Sequence, residues 1–246
     1  MSEELYVITP DWPVPSHVKA FVSTRKGGVS SGGYQGLNLG GHVNDRTELV
    51  ERNRALFAQK TSMPNTLQWL NQVHSTDVAT LPLVEGASNM ADAAITSQAQ
   101  QICAILTADC LPILLSNQEG SQVAAIHAGW RGLCDGVIEE TVRQFNPSGC
   151  IYAWLGPAIG ASSFEVGEEV RAAFMAYSIE ASQAFVSKPN GKWLGDLYLL
   201  AKQRLEMVGI HQVYGGDRCT YAEDEWFYSY RRDGVTGRMA TLIWFE

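Results

Sequence analysis

The chain has 246 residues, a formal net charge of −8 and 46% hydrophobic residues, with only 18% charged, so it can bury a substantial core. The acidic balance excludes nonspecific nucleic-acid binding, which needs a basic face, but leaves room for a small anion in a local arginine pocket. No run approaches the ~20 consecutive apolar residues of a spanning helix, so a membrane partner is not expected.

The first fifteen residues, MSEELYVITPDWPVP, carry acids and no apolar core, unlike a secretory signal. Leu5–Ile8 and Val18–Thr24 read as strands around a proline-rich turn. Residues 25–41, RKGGVSSGGYQGLNLGG, hold seven glycines behind two cations. Their amides can face an anion, with Arg25 adding a bidentate contact, or the stretch is simply a flexible surface loop. Asp45-Arg46-Thr47-Glu48 has the form of a capping box, predicting a surface helix to about Lys60 with Leu49, Arg52, Asn53 and Leu56 along one side.

Thr66–Asn71 and Val78–Leu81 are strand-like and flank His74; Ala91–Thr96 is another strand. Ile102–Thr107 and Leu111–Ser116 are apolar strands broken at Ala108-Asp109-Cys110, where Asp109 either orients a nearby imidazole or forms the turn. Gln122–His127 is a strand, and a helix is expected over Leu133–Phe145. The turn between them carries Arg131 beside free helix-start amides, an anion contact or one half of a structural salt bridge. Further on come a strand at Ile151–Leu155, helices at Gly167–Tyr177 and Asp196–Val208 with Gly209 ending the second, and strands at Gln212–Tyr214, Phe227–Arg231 and Met239–Phe245. Strands and helices interleave without a steady βαβ rhythm, which predicts an α+β fold with mixed sheets, read as one domain over 1–246.

Three residues of metal-ligand type, His74, Cys110 and His127, each follow a strand and lie 36 and 17 positions apart. That is not zinc-finger spacing, so only the fold can bring them together. Two imidazoles and a thiolate suit zinc, or copper in a trigonal site, and leave a coordination position open. The same residues also fit a buried free cysteine and two ordinary core histidines. A fourth ligand, if there is one, is Cys219, which would make the zinc structural; alternatively Cys110 is a metal-free nucleophile activated by a histidine. Five cysteines without paired spacing do not form a disulfide framework, which implies a reducing, cytoplasmic setting.

The stretches STRKGGVSSGGYQGLNLG, NQVHS, TADCLPILL, HAGWRG and RCTYAEDEWFYSYRRDGVTGRMA, in that order, resemble the signatures of the YfiH-like family over about Thr24–Phe245. Its members carry the names laccase-domain protein, polyphenol oxidase, purine nucleoside phosphorylase and peptidoglycan editing factor. The resemblance implies a four-layer α/β/β/α sandwich and a metal held by His74, Cys110 and His127. It also implies phosphorolysis of adenosine, inosine and methylthioadenosine, with adenosine deamination as a side activity. On that reading zinc is the cofactor, copper the alternative, and the partners are a nucleoside and phosphate, with Arg25, Arg131 and Arg231 as candidate phosphate contacts. An open zinc site polarises an oxygen or lowers the pKa of bound water to about 7, which also serves amide hydrolysis of a UDP-MurNAc-L-Ser precursor. Copper oxidation of phenols ranks lower, because the chain has five histidines and His17, His42 and His211 lack context for a multicopper set. A non-enzymatic protein with structural zinc remains the reading from a different class.

Overall fold

The computed structural model describes residues 4–146 and 149–246. Its central layer is a six-stranded sheet of β3 (Val78–Thr80), β4 (Ala93–Thr96), β6 (Leu111–Asn117), β7 (Val123–Ala128), β8 (Ile151–Leu155) and β12 (Gln212–Gly215). They lie in the order β12-β8-β6-β7-β4-β3, parallel at the two outer pairs and antiparallel between them. A second sheet has the order β1-β2-β13-β5, from β1 (Val7–Ile8), β2 (Val18–Ser23), β5 (Cys103–Thr107) and β13 (Met239–Phe245).

Side chains alternate across a strand, so each buried strand supplies two cores. Leu114, Ala125, Ala94, Ile105, Ile243 and Val22 pack between the sheets. Their neighbours Ile113, Leu115, Ala124 and Ile126 face the other way, onto α2 (Trp130–Asp135), α3 (Val137–Arg143) and α5 (Leu197–Met207). On the far side, Ala104, Leu106, Leu242 and Trp244 pack with Leu37 and Leu39 of the glycine-rich loop and with Phe57 of α1 (Thr47–Thr61). The result is an α/β/β/α sandwich. It explains why β5, β6, β7 and β13 read as unbroken apolar runs: both faces are covered. None of the helices among the described residues is long and apolar enough to cross a membrane.

Several local expectations change. Asp45 does not cap α1: its carboxylate accepts from Ser30 Oγ, Asn38 Nδ2 and the Arg46 amide, tying the glycine loop together, and Arg46 takes the N-cap position. The buried side of α1 is Val50, Asn53, Phe57 and Thr61, and left-handed Ser62 ends it before Met63-Pro64. Residues 66–70 form no strand; Asn71 alone bridges to Met90. The Leu133–Phe145 helix is two helices beginning at Trp130, split where Gly136 takes φ 105°. Phe227 and Tyr228 are buried in irregular chain, and the short α6 (Tyr230–Asp233) follows, capped by Ser229 Oγ accepting from the Arg232 amide. A small sheet of β9 (Glu165–Val166), β10 (Phe185–Ser187) and β11 (Trp193–Gly195) was not apparent in the sequence, while α4 (Glu168–Tyr177), between β9 and β10, matches the helix expected at Gly167–Tyr177. Likewise α5 falls within the expected range and is followed, as expected, by Gly209 at φ 80°; Asp196 Oδ1 caps it by accepting from the Leu199 amide.

Candidate metal centre

The strands β5 and β6 are consecutive but belong to different sheets, so the chain must turn between them at 108–110. Asp109 makes the turn with φ 88°. Its carboxylate accepts from Thr220 Oγ1 at 2.6 Å and from the Arg231 amide at 2.7 Å. It therefore orients no imidazole; it ties α6 to the turn, beside Cys110 just before β6. His127 lies opposite Pro112 on β7, one residue from the end of that strand.

His74 arrives on a loop held from both ends. The Gln72 side chain pairs with the Leu106 backbone like a strand partner, accepting from N at 2.7 Å and donating to O at 2.8 Å. Asp92, fully buried, accepts from the amides of Val73, His74 and Ser75 and from Ser75 Oγ. This clamp keeps His74 in a left-handed conformation, φ 62°, which a residue with a Cβ rarely adopts unaided. The same carboxylate accepts from His127 Nδ1 at 2.7 Å. It thereby fixes the tautomer and leaves Nε2 free to face Cys110.

Among the described residues, His74, Cys110 and His127 are the group whose ligand atoms converge, all within 4.8 Å of one another. His74 Nε2 is 3.7 Å from Cys110 Sγ, close to the ~3.5 Å separation that tetrahedral bonds of 2.0–2.3 Å imply. The donor set, the open space between the ligand atoms and the fixed tautomer fit a zinc-sized ion. Gly129 preserves that space: a Cβ there would lie 2.6 Å from His74 Cδ2 and 3.1 Å from Cys110 Sγ.

Without a metal the Cys110 thiolate is matched by the His127 imidazolium, whose Nε2 proton a bound cation would displace. Burial alone would raise the Cys110 thiol, but the charge of His127 and hydrogen bonds from both histidines outweigh it and bring it down to about 6. Burial disfavours the His127 imidazolium too, yet the Cys110 thiolate and Asp92 raise it to about 9. Asp92 falls to about 2, because the hydrogen bonds from His127 and the loop amides exceed the cost of burial.

Two cavities meet at Cys110, sharing Ala108, Cys110 and Tyr230. One, of about 380 Å3, is lined by the three ligands together with His42, Gln72 and Arg238. The other, of about 250 Å3, is lined by Trp130, Arg131, Ile159, Phe164, Leu197 and Arg231. Of the sequence-selected cations, Arg131 and Arg231 are at this site and Arg25 is not. Arg25 donates to the Asp224 carbonyl at 3.0 Å and lines a separate hollow with Lys26 and Glu225, because the glycine loop folds back on the 224–228 segment. Arg131 has no ion-pair partner among the described residues; its guanidinium stacks 4.4 Å over Trp130. Cys219 is outside the ligand group, its sulfur accepting from the Gly160 and Ala222 amides at 3.2 and 3.4 Å. Asp92, Gly129 and His42 carry no mark in the sequence. Arg231, Arg232 and Arg238 read there as a cationic cluster that either faces a substrate or offsets the acidic surface, and Arg238 lines the cavity of the three ligands.

The family model described as multi-copper polyphenol oxidoreductase laccase matches residues 19–246. The chain is 53% identical over 240 residues to the purine nucleoside phosphorylase YfiH of Escherichia coli, covering 97% of this chain and 98% of that one. It is 49% identical over 245 residues to a purine nucleoside phosphorylase of Haemophilus influenzae, covering 98% and 100%. The crystal structure of a Neisseria meningitidis protein superposes with a TM-score of 0.92 at 48% identity, covering 98% and 99% of the two chains. With the fold, the matched length and the identities all agreeing, the chain belongs to the YfiH family of laccase-like proteins.

Proposed function

We propose that this protein is a zinc-dependent purine nucleoside phosphorylase acting on adenosine, inosine and methylthioadenosine, with adenosine deamination as a side activity. One observation carries the reading: the converging His74, Cys110 and His127 atoms lie where two cavities of different character meet. Phosphorolysis needs that layout. A phosphate oxygen forms a bond to the anomeric carbon of ribose while the bond from that carbon to the purine nitrogen breaks. The bonding pair leaves with the purine, which then takes up a proton. Nucleophile and leaving group lie on opposite sides of the sugar, and two pockets joined at a narrow seam can hold them so. Relatives at 53% and 49% identity that bear the phosphorylase name support the same activity.

His74, Cys110 and His127 would hold the ion, whose contribution when bound is Lewis-acid polarisation of a substrate oxygen. The protein supplies the rest. Asp92 keeps His127 in the ligating tautomer, Gln72 and Asp92 hold the His74 loop, and Arg131 and Arg231 are the cations nearest the smaller cavity. Copper chemistry of the multinuclear kind would need more imidazoles than this site offers, since His17 bonds the Gly120 carbonyl and only His42 joins the ligands in their cavity.

The test is product analysis by liquid chromatography, using zinc-loaded and chelated protein with adenosine, with and without phosphate. Adenine plus ribose 1-phosphate is expected only with zinc and phosphate, and a trace of inosine without phosphate. A His74→Ala protein with full phosphorolytic turnover would overturn the reading. Free serine released from a UDP-muramoyl-serine substrate, without nucleoside cleavage, would replace it with the amidase.

A further inference from the structure

The two cavities differ in chemistry in a way that assigns their occupants. The larger one is cationic. Arg238 donates from Nη1 to the Thr236 and Gly237 carbonyls at 3.0 Å, while its Nε and Nη2 have no protein acceptor and no carboxylate pairs with it among the described residues. It is half-buried, so this charge is held out of bulk water without an opposing acid. His42 stands in the same cavity beside the ligand histidines. The glycine-rich loop builds this arrangement. The Arg238 amide donates to Asn38 Oδ1 at 2.9 Å, the Leu39 amide donates to the Arg238 carbonyl, and Gly40 leaves room for the arginine stem, where a Cβ would lie 2.7 Å from Cγ. The chain then delivers His42 two residues later. Burial and the cations Arg238, Arg54 and His127 lower the His42 pKa, in keeping with a site of positive potential inside an acidic protein.

The smaller cavity has the larger aromatic and aliphatic wall; Arg131 and Arg231 also line it, with the Arg131 guanidinium stacked 4.4 Å over Trp130. Ile159, Leu197 and Phe164 are almost fully buried, and Trp130 and Tyr230 add two more aromatic walls. Its one carboxylate, Asp109, would repel an anion. Arg231 is committed through Nη1 to the Glu165 carbonyl and lies 5.7 Å over the Phe164 ring. At about 250 Å3 it is smaller than the ~300–1,000 Å3 typical of drug-sized ligands, a size suited to a flat heterocycle rather than a whole nucleotide.

Resting on the phosphorylase reading, we propose that Arg238 and His42 bind the phosphate in the larger cavity, while Trp130, Phe164 and Ile159 enclose the purine in the smaller. The sugar then bridges the seam at Cys110 and Tyr230. This moves phosphate recognition away from Arg25 and Arg131 and gives the glycine loop its role: it positions a distant arginine instead of wrapping the anion with its own amides.

The test is direct binding, independent of turnover. Affinities for inorganic phosphate and for adenine are measured by isothermal titration on zinc-loaded and on chelated protein. Wild type is compared with His42→Gln, Arg238→Gln, Arg131→Gln and Phe164→Leu. His42 and Arg131 are exposed, so their variants fold even if the Arg238 variant does not. His42→Gln and Arg238→Gln are expected to weaken phosphate about 10- to 100-fold, the worth of a charge-assisted hydrogen bond, with adenine affinity unchanged. Phe164→Leu should do the reverse. Phosphate affinity unchanged by His42→Gln but lost in Arg131→Gln would overturn the assignment, as would no phosphate binding to the wild type. Phosphate bound as described by a protein that does not cleave nucleosides would remove the phosphorylase reading and leave the anion subsite standing.

Discussion

Asp92 and His127, 35 residues apart, are joined by a 2.7 Å hydrogen bond in which Nδ1 donates to a carboxylate that also gathers the amides of residues 73–75. One buried acid therefore sets the tautomer of the His127 ligand and the backbone of the loop that carries His74. Replacing it disturbs two of the three ligands at once.

Asp92→Asn keeps an acceptor near His127 but removes the charge that raises its basicity. Zinc affinity, read by competition with a chromophoric chelator, should fall about 10- to 100-fold, the usual effect of losing such a partner. An Asp92→Asn protein with wild-type affinity would show that the hydrogen bond is incidental.

Gly129→Ala probes the space at the centre. Gly129 has φ −64°, which alanine tolerates, so backbone strain is not at issue. Its Cβ would press on His74 and Cys110, and overpacking of about 1–3 kcal/mol corresponds to roughly a 5- to 150-fold loss of zinc affinity. Circular dichroism should show an intact fold alongside that loss.

Cys219→Ser should leave zinc stoichiometry at the wild-type value. The Cys219 sulfur accepts two amide N–H groups, a task that a hydroxyl oxygen can also perform. A drop in bound zinc, measured by atomic absorption, would mean that this residue does join the metal.

In metal-free protein, alkylation of Cys110 should titrate with a midpoint near pH 6 instead of near 9, and zinc should suppress it. Stability follows from the same groups. Raising His127 from 6.5 to about 9 contributes stability present below 6.5 and lost as pH rises through 9. Lowering Cys110 from 9.0 to about 6 contributes stability present above 9 and lost as pH falls through 6. Across 6.5–9 these slopes cancel, because folding only moves one proton from sulfur to imidazole. Asp92, lowered from 3.8 to about 2, adds stability that is lost as pH falls through that range. Chelated protein should therefore show a nearly flat melting temperature from pH 6.5 to 9 and a decline below pH 4. A steep change within the flat window would mean that thiolate and imidazolium are not paired.

Much was legible without coordinates. The apolar runs at 102–107, 111–116, 122–127 and 239–245 announce covered strands, because hydrophobic side chains on both faces of a strand have no other stable arrangement. The three ligand-type residues could also be picked out, and the strand-end position holds for Cys110 and His127 but not for His74, which sits on a loop. What lay beyond reach was every interaction between distant parts of the chain. A capping-box pattern at 45–48 could not reveal that Asp45 is already engaged by Ser30 and Asn38. Nor could the alanine-rich run at 91–96 mark Asp92 as the partner of His127, since a carboxylate carries no local sign of which imidazole it will meet.

Local chain physics decides which segments become strands and helices, since period and burial are written into neighbouring residues. Which arginine faces the ligands, which acid stands behind the histidine and which thiol stays away are set only when separate sheets stack, because those groups meet across tens of residues and their charges act over a few ångströms.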